Sequence, residues 1–408
     1  MKLLFIIFFI FFFLSACGTD GSSPAPTPPE RMTFSGAGNL GIFDPSVSRD
    51  PGTGRFWMSY SSVNTSPNYA STLYWAVSIR LAYSDDNGIS WQDAGVAVSP
   101  AVERTADLGP ITAAGYPSGT VPAGSTGIWQ SETSSLIYDP SAPVGEEWKL
   151  IWHQYLHANA TSLFADYAWI TMKMASTPLG LDTATPVKLF GGIGLQAQNS
   201  ITDSPVFSPT SGVPAIQLNT DITQAAGGAN LTDLNTCVFA EPGLYATNSA
   251  VYLATFCADV STVPITEYQV YFRCASPCNM TSAGSWEYLG RLLTPADALA
   301  ATGDHHFQAP ALVEKNGKTY LMVTPVDTSL FDRYNGCVLY EFTDVDTNQL
   351  LRNVGQLVEV VRTDGVAGTH NGACAAYNGL VGGILFSQFE PASTAETFNI
   401  YKSQVELP

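Results

Sequence analysis

Charge is scarce in this 408-residue chain: 13% of its residues are charged, 17 Lys and Arg against 35 Asp and Glu. The formal net charge is −18, and it grows by one unit if Lys2 is removed with a leader. Such a surface repels phosphate-rich chains and anionic headgroups, which argues against nucleic acid as a partner and favours neutral or cationic ligands. So few charges, beside 35 Gly and 26 Pro, also argue against coiled coils and disordered chains. Beyond residue 14, no apolar run approaches the roughly 20 residues a helix needs to cross a bilayer. Cysteine is scarce, at seven, and no spacing suits zinc, because Cys274 and Cys278 form a pair without a matching second pair.

What is present begins at the N-terminus. Lys2 supplies a positive charge, residues 3–14 are unbroken apolar, and Leu14-Ser15-Ala16-Cys17 closes the run. Twelve apolar residues suit a signal peptide rather than a membrane span. The closing sequence resembles the lipobox of bacterial lipoproteins, whose cysteine carries diacylglycerol. The expectation is a signal peptide over 1–16, with Cys17 as the lipid-bearing terminus. Residues 17–31, rich in Pro, Ser and Gly, read as a tether. The protein then belongs to the bacterial cell envelope as a monomer, touching the membrane through its lipid alone. The six remaining cysteines favour disulfides in an oxidising compartment. Cys237 and Cys257 are equidistant from Thr247 and should face each other across a hairpin. Cys257 and Cys274 are nearly symmetric about Ile265 and form a rival pair. Cys274 and Cys278 could close a local loop.

The body, 32–408, hides a repeat. Five segments, 43–60, 134–155, 240–256, 308–324 and 370–387, each read as a short strand, a turn and a more aromatic strand. A third strand follows in each, with a basic residue near one point in four of them: Arg80, Lys173, Arg273 and Lys402. Adding a short fourth strand predicts an all-β, five-bladed β-propeller with four antiparallel strands per blade. Residues around Met32 to Phe34 would close the fifth blade on the first. Residues 191–236, poor in strand pattern, read as an insertion over one face.

Some turns look familiar. Ser84-Asp85-Asp86-Asn87-Gly88-Ile89-Ser90-Trp91 matches the Asp-box pattern of sialidase blades. Its Asp and Ser are expected to tie the turn to backbone amides, away from any active site. Ser176-Thr177-Pro178-Leu179-Gly180 and Asp44-Pro45-Ser46-Val47 resemble segments of glycoside hydrolase family 43, and Ala240-Glu241-Pro242-Gly243-Leu244-Tyr245 resembles one shared by families 43 and 32. The resemblance implies a catalytic base or nucleophile at Asp44 and a general acid at Glu241.

Aligned on the apolar residue three places on, the inner strands bring Asp44, Ser134, Glu241, Ala309 and Asn371 to one level. Two carboxylates from different strands around one sugar are what glycoside hydrolysis requires, one ionised and one protonated. The family pattern expects an Asp in the second blade; this chain has Ser134, and Glu132, two residues earlier, is the candidate substitute. Trp129 is a candidate sugar-stacking ring, and His306, His370 and Asn371 are candidate ligand contacts, with His305 also near the pocket mouth. His153, His157, Trp57 and Trp152 read as packing or surface residues. The leading function is a glycan-acting hydrolase. A catalytically silent carbohydrate-binding or surface-assembly propeller is the first alternative. A sialidase is the second, though it would need three arginines gripping a carboxylate, and those of the repeat have a simpler structural reading. No cofactor or metal is expected, although a propeller axis can hold a structural ion.

Overall fold

The computed structural model describes residues 27–65, 75–98, 103–104, 111–112, 120–121, 127–158, 164–191, 216–217, 222–234, 237–259, 262, 264–327, 334–366, 369–390 and 397–408. The chain is all-β, with one short α-helix, Pro295–Ala301, among these residues. Five antiparallel sheets follow one another along the chain. Sheet 1 comprises Gly41–Arg49, Phe56–Thr65, Trp75–Ser84 and Gln92–Val98. Sheet 2 is built on Gly127–Tyr138, Trp148–Ala158, Phe164–Ala175 and Val187–Gly191. Sheet 3 holds Cys237–Ala246, Ala250–Asp259, Thr266–Ala275 and Trp286–Leu293. Sheet 4 has His306–Lys315, Lys318–Val326, Cys337–Asp344 and Glu359–Thr363. Sheet 5 has His370–Ala375, Leu385–Glu390 and Thr397–Lys402. Its outermost strand is the N-terminal Glu30–Arg31, paired with Lys402 and Tyr401, so the two ends of the body share one sheet. Met32 extends that pairing onto Ile400, two residues before the segment expected to do so ends.

The sheets pack face to face, so their second strands are buried on both faces; Phe56–Thr65 is buried over its first eight residues. Five main hydrophobic clusters fill the gaps between neighbouring sheets. Trp57, Ile79 and Leu81 of sheet 1 meet Leu136, Leu150 and Trp152 of sheet 2. Phe56 and Met58 of sheet 1 meet Leu385 and Ile400 of sheet 5. The other three clusters join sheets 2 and 3, 3 and 4, and 4 and 5. Each first strand touches the first strand of the next sheet, and that of sheet 5 touches that of sheet 1.

Three of the four repeated basic residues reach across these gaps, and Arg80 pairs within its own sheet. Lys173 donates to the carbonyls of Ala97 and Asp182, at 2.8 and 3.0 Å. Lys402 donates to Ile89 O, at 2.6 Å. Arg80 pairs with Asp93 at 2.7 Å, and Arg273 with Asp346 at 3.1 Å. Segment 84–91 is a closed turn: Ser84 Oγ receives Gly88 N at 2.8 Å, and Asp86 Oδ1 receives Ser90 N at 2.9 Å. The Ser90 hydroxyl, then its amide and the Ser84 hydroxyl, hold the Asp86 carboxyl down to about 2.

Cys237–Cys257 and Cys274–Cys278 are bridged, and Cys337–Cys374 joins sheet 4 to sheet 5. The register corrects one detail. Cys237 lies opposite Asp259 and Cys257 opposite Phe239, so that bridge runs diagonally, displaced by a bulge at Glu241 and Pro242. With a sequence separation of 37 between Cys337 and Cys374, replacing both by alanine should cost about 3–4 kcal/mol on chain-entropy grounds. Denaturant unfolding checks this.

The expected insertion at 191–236 is described at 216–217 and 222–234. Of these, Gln224 and Ala226 bond to Tyr288 on the outer strand of sheet 3. That stretch extends an edge of sheet 3, and the rest of the expected insertion lies outside the described residues.

Candidate functional site

Every first strand carries one bulge, and at each bulge a non-glycine residue takes the left-handed region. These are Asp44 (φ 51°), Thr133 (49°), Glu241 (50°), Ala309 (46°) and Ala373 (46°). Such a residue costs about 1–3 kcal/mol and persists only where its surroundings hold it. Here side-chain oxygens hold four of the five amides. Asp44 N donates to Ser387 Oγ at 2.7 Å, and Thr133 N to Ser61 Oγ at 3.2 Å. Ala373 N donates to Thr324 Oγ1 at 2.8 Å, and Ala309 N to Glu241 Oε2 at 2.7 Å. The common level is therefore set by the bulge. It corrects the sequence alignment at two sheets, with Thr133 replacing Ser134 and Ala373 replacing Asn371.

Three carboxyl groups gather here. Asp44 is 4% exposed, and its Oδ2 accepts from Thr133 Oγ1 at 3.0 Å and Ser61 Oγ at 3.3 Å. Burial, then the charges of Glu132 and Glu241, push its carboxyl well above the ordinary range. Glu132, directly before the sheet 2 bulge, accepts from the Tyr155 hydroxyl; burial, opposed by that bond, raises it to about 7. Glu241 is likewise raised to about 7 by burial, opposed by its bond from Ala309 N. The Tyr334 hydroxyl lies 3.4 Å from Glu241 Oε1. Three carboxyls within one another's field cannot all ionise cheaply, so the trio retains a proton near neutrality.

This burial has a signed consequence for stability. Glu132 and Glu241 titrate near 7 in the fold but near 4.5 when unfolded. The stability from keeping them protonated is complete below about 4.5 and lost as pH rises through about 7. At most it is on the order of 3 kcal/mol per group. Replacing both by Gln should raise Tm relative to the native chain at pH 8, with the gain vanishing by pH 4; calorimetry at both values checks it.

Other expected contacts fall as follows. His306 is buried; its Nδ1 sits 2.9 Å from Glu267 and its Nε2 3.0 Å from the Gln308 amide. His305 is exposed, and His370 is half-buried opposite Phe389. The Asn371 amide is spent on the loop before it, bonding Asp364, Val366 and Thr369, so it locks that loop rather than offering a free ligand contact. The side chains of Trp129 and His157 lie outside the described residues. Trp57, Trp152 and His153 are buried. His153 lies opposite Glu132, stacks on Tyr155, and is held down to about 3 by burial, hence neutral. Sequence reading missed Tyr155, Tyr334, Ser61, Thr133 and Glu267. The only available signal among them was Thr133, adjacent to the aligned Ser134.

Among the described residues, four further arginines pair elsewhere, Arg55 with Asp85, Arg291 with Asp233, Arg352 with Asp297 and Arg362 with Asp364, while Arg49 donates to Gly54 O at 3.0 Å and lines the channel alone among the arginines. Below the bulges the first strands surround a channel of about 360 Å³, which Asp44 lines and Glu132 and Glu241 do not.

No protein-family model matches the chain, and no curated protein sequence does. Solved structures do. It is similar to a thermostable family-43 glycoside hydrolase (11% identity, TM-score 0.45, covering 90% of this chain and 92% of that one). It is also similar to a family 117 glycoside hydrolase of the marine bacterium Zobellia galactanivorans (12%, TM-score 0.46, 92% and 90%). An arabinanase of Bacillus subtilis matches at 12% identity and TM-score 0.44, over 90% and 95%.

Proposed function

We propose that the five sheets are the blades of a closed five-bladed β-propeller and that the protein hydrolyses a glycoside. The observation that carries this reading is the meeting of Asp44, Glu132 and Glu241, from three first strands, inside one another's electrostatic field. Asp44, held by two hydroxyls, acts as base or nucleophile. Glu241, near neutrality and bonded to one backbone amide, protonates the leaving oxygen. Glu132 is the third carboxyl, whose charge raises Asp44 and whose own proton is set by burial and Tyr155. The assignment of roles is the one the sequence resemblance implies; Asp44 must be ionised to act, a form its two hydroxyl donors favour and its burial opposes.

The arginine pairings count against the sialidase alternative, which needs a cationic grip on a carboxylate. The test is hydrolysis of neutral aryl glycosides and oligosaccharides, with glycan binding measured alongside. Cleavage that depends on Asp44 and Glu241 supports the enzyme. Binding without cleavage would favour a silent propeller.

The sequence also supports export as a lipoprotein, cut before Cys17 and held to the cell envelope through its lipid. Mass measurement of the N-terminal peptide from membranes should find acyl groups on Cys17; an unmodified thiol, or retention of residues 1–16, would sink the claim.

A further inference from the structure

We propose that the central channel feeds the hydrolytic water to Asp44 from the side opposite the sugar, an inference that rests on the glycosidase reading. Once a sugar covers Glu132 and Glu241, their side of the site is closed to solvent by the ligand itself. The channel below offers a second route. It follows all five first strands, from the bulges to Arg49, Tyr138, Glu314 and Asn378, and has room for on the order of ten waters. Of the three carboxyl residues, Asp44 alone lines it.

The hydrogen bonding of Asp44 fits that role. Both side-chain donors, Ser61 and Thr133, go to Oδ2. Among the described residues, Oδ1 receives no hydrogen bond and is available to a water. That water gives its proton to Asp44 while its oxygen attacks the anomeric carbon. The glycosidic C–O bond breaks, and the departing oxygen takes the proton of Glu241. Atoms and charge balance: one water is consumed, and the proton gained by Asp44 equals the one lost by Glu241. The two carboxyls are thus served from separate compartments, the acid facing the leaving group and the base facing the channel.

Two measurements test this. A crystal structure of the glycan-bound protein should contain a continuous file of ordered waters reaching Asp44 Oδ1; a dry or plugged channel overturns the proposal. Second, Ala311, which lines the channel and is half-buried, is enlarged in steps, Ala311→Val, Ala311→Leu and Ala311→Phe, with Ala311→Ser as the small control. Because a positioned nucleophile is withdrawn, kcat should fall on the order of tenfold by the last step. Tm and the affinity for a non-hydrolysable thioglycoside should hold. Variants are compared only where Tm is retained, and Ala311→Leu supplies the block should Ala311→Phe fail to fold. Unchanged kcat in a folded variant whose channel is filled overturns the water feed alone. A native protein that cleaves no glycoside overturns the enzymatic reading and the feed with it.

Discussion

Glu241→Gln should lower turnover by a factor of roughly 10² or more, the usual worth of general acid catalysis, on any glycoside with a poor leaving group. The substitution keeps the size of the side chain and an oxygen to accept from Ala309 N at 2.7 Å, so the bulge in sheet 4 survives. What disappears is the proton. Aryl glycosides with acidic leaving groups need little protonation and should lose far less. The pH profile should change with it: Glu241 titrates at about 7, so native activity falls as pH rises through that value, and the variant loses that limb. Steady-state kinetics on a matched pair of leaving groups decides the matter. Equal losses on both would remove Glu241 from the acid role.

Asp44→Asn should be at least as damaging, by roughly 10²–10⁴, and indifferent to the leaving group. A base or nucleophile is needed whatever departs. The amide retains an oxygen for Ser61 and Thr133, and the backbone keeps its bond to Ser387 at 2.7 Å. A loss of activity with unchanged thioglycoside affinity therefore reports chemistry rather than collapse. If a good leaving group rescued Asp44→Asn as well, the two roles would have to be exchanged. Together the variants form a contrast that no general loss of fold can mimic.

Asp44 and Glu241 were legible because each precedes a proline, stands at the head of a turn-and-strand repeat, and is a carboxylate at the aligned level. Glu132 was found by strand periodicity, although the bulge at Thr133 falls between it and the residue on which the sheets were aligned. Thr133 and Ala373 lack a following proline, so nothing local marks their left-handed backbone, and the level was misjudged by one and by two residues. The same kind of extra residue displaced the Cys237–Cys257 register. Tyr155 and Tyr334 were not legible: each reaches its carboxyl from a separate strand or loop, a juxtaposition that exists only once the sheets pack. The basic residues of the third strands were readable as structural, since a position shared by four segments is explained more simply by packing than by a ligand.

Five bulges with one backbone shape amount to a wheel with five seats, and the chain has furnished only some of them. Two hold carboxylates, one holds a threonine that leans on its neighbour, and Ala309 and Ala373 are blanks. The geometry of each seat is prepaid by the main chain, independent of what sits in it. New chemistry on this scaffold therefore needs no new loop: a change of side chain at 309 or 373 would present another functional group to the axis, already aimed, and the order of occupied seats around the wheel becomes the variable on which reactivity turns.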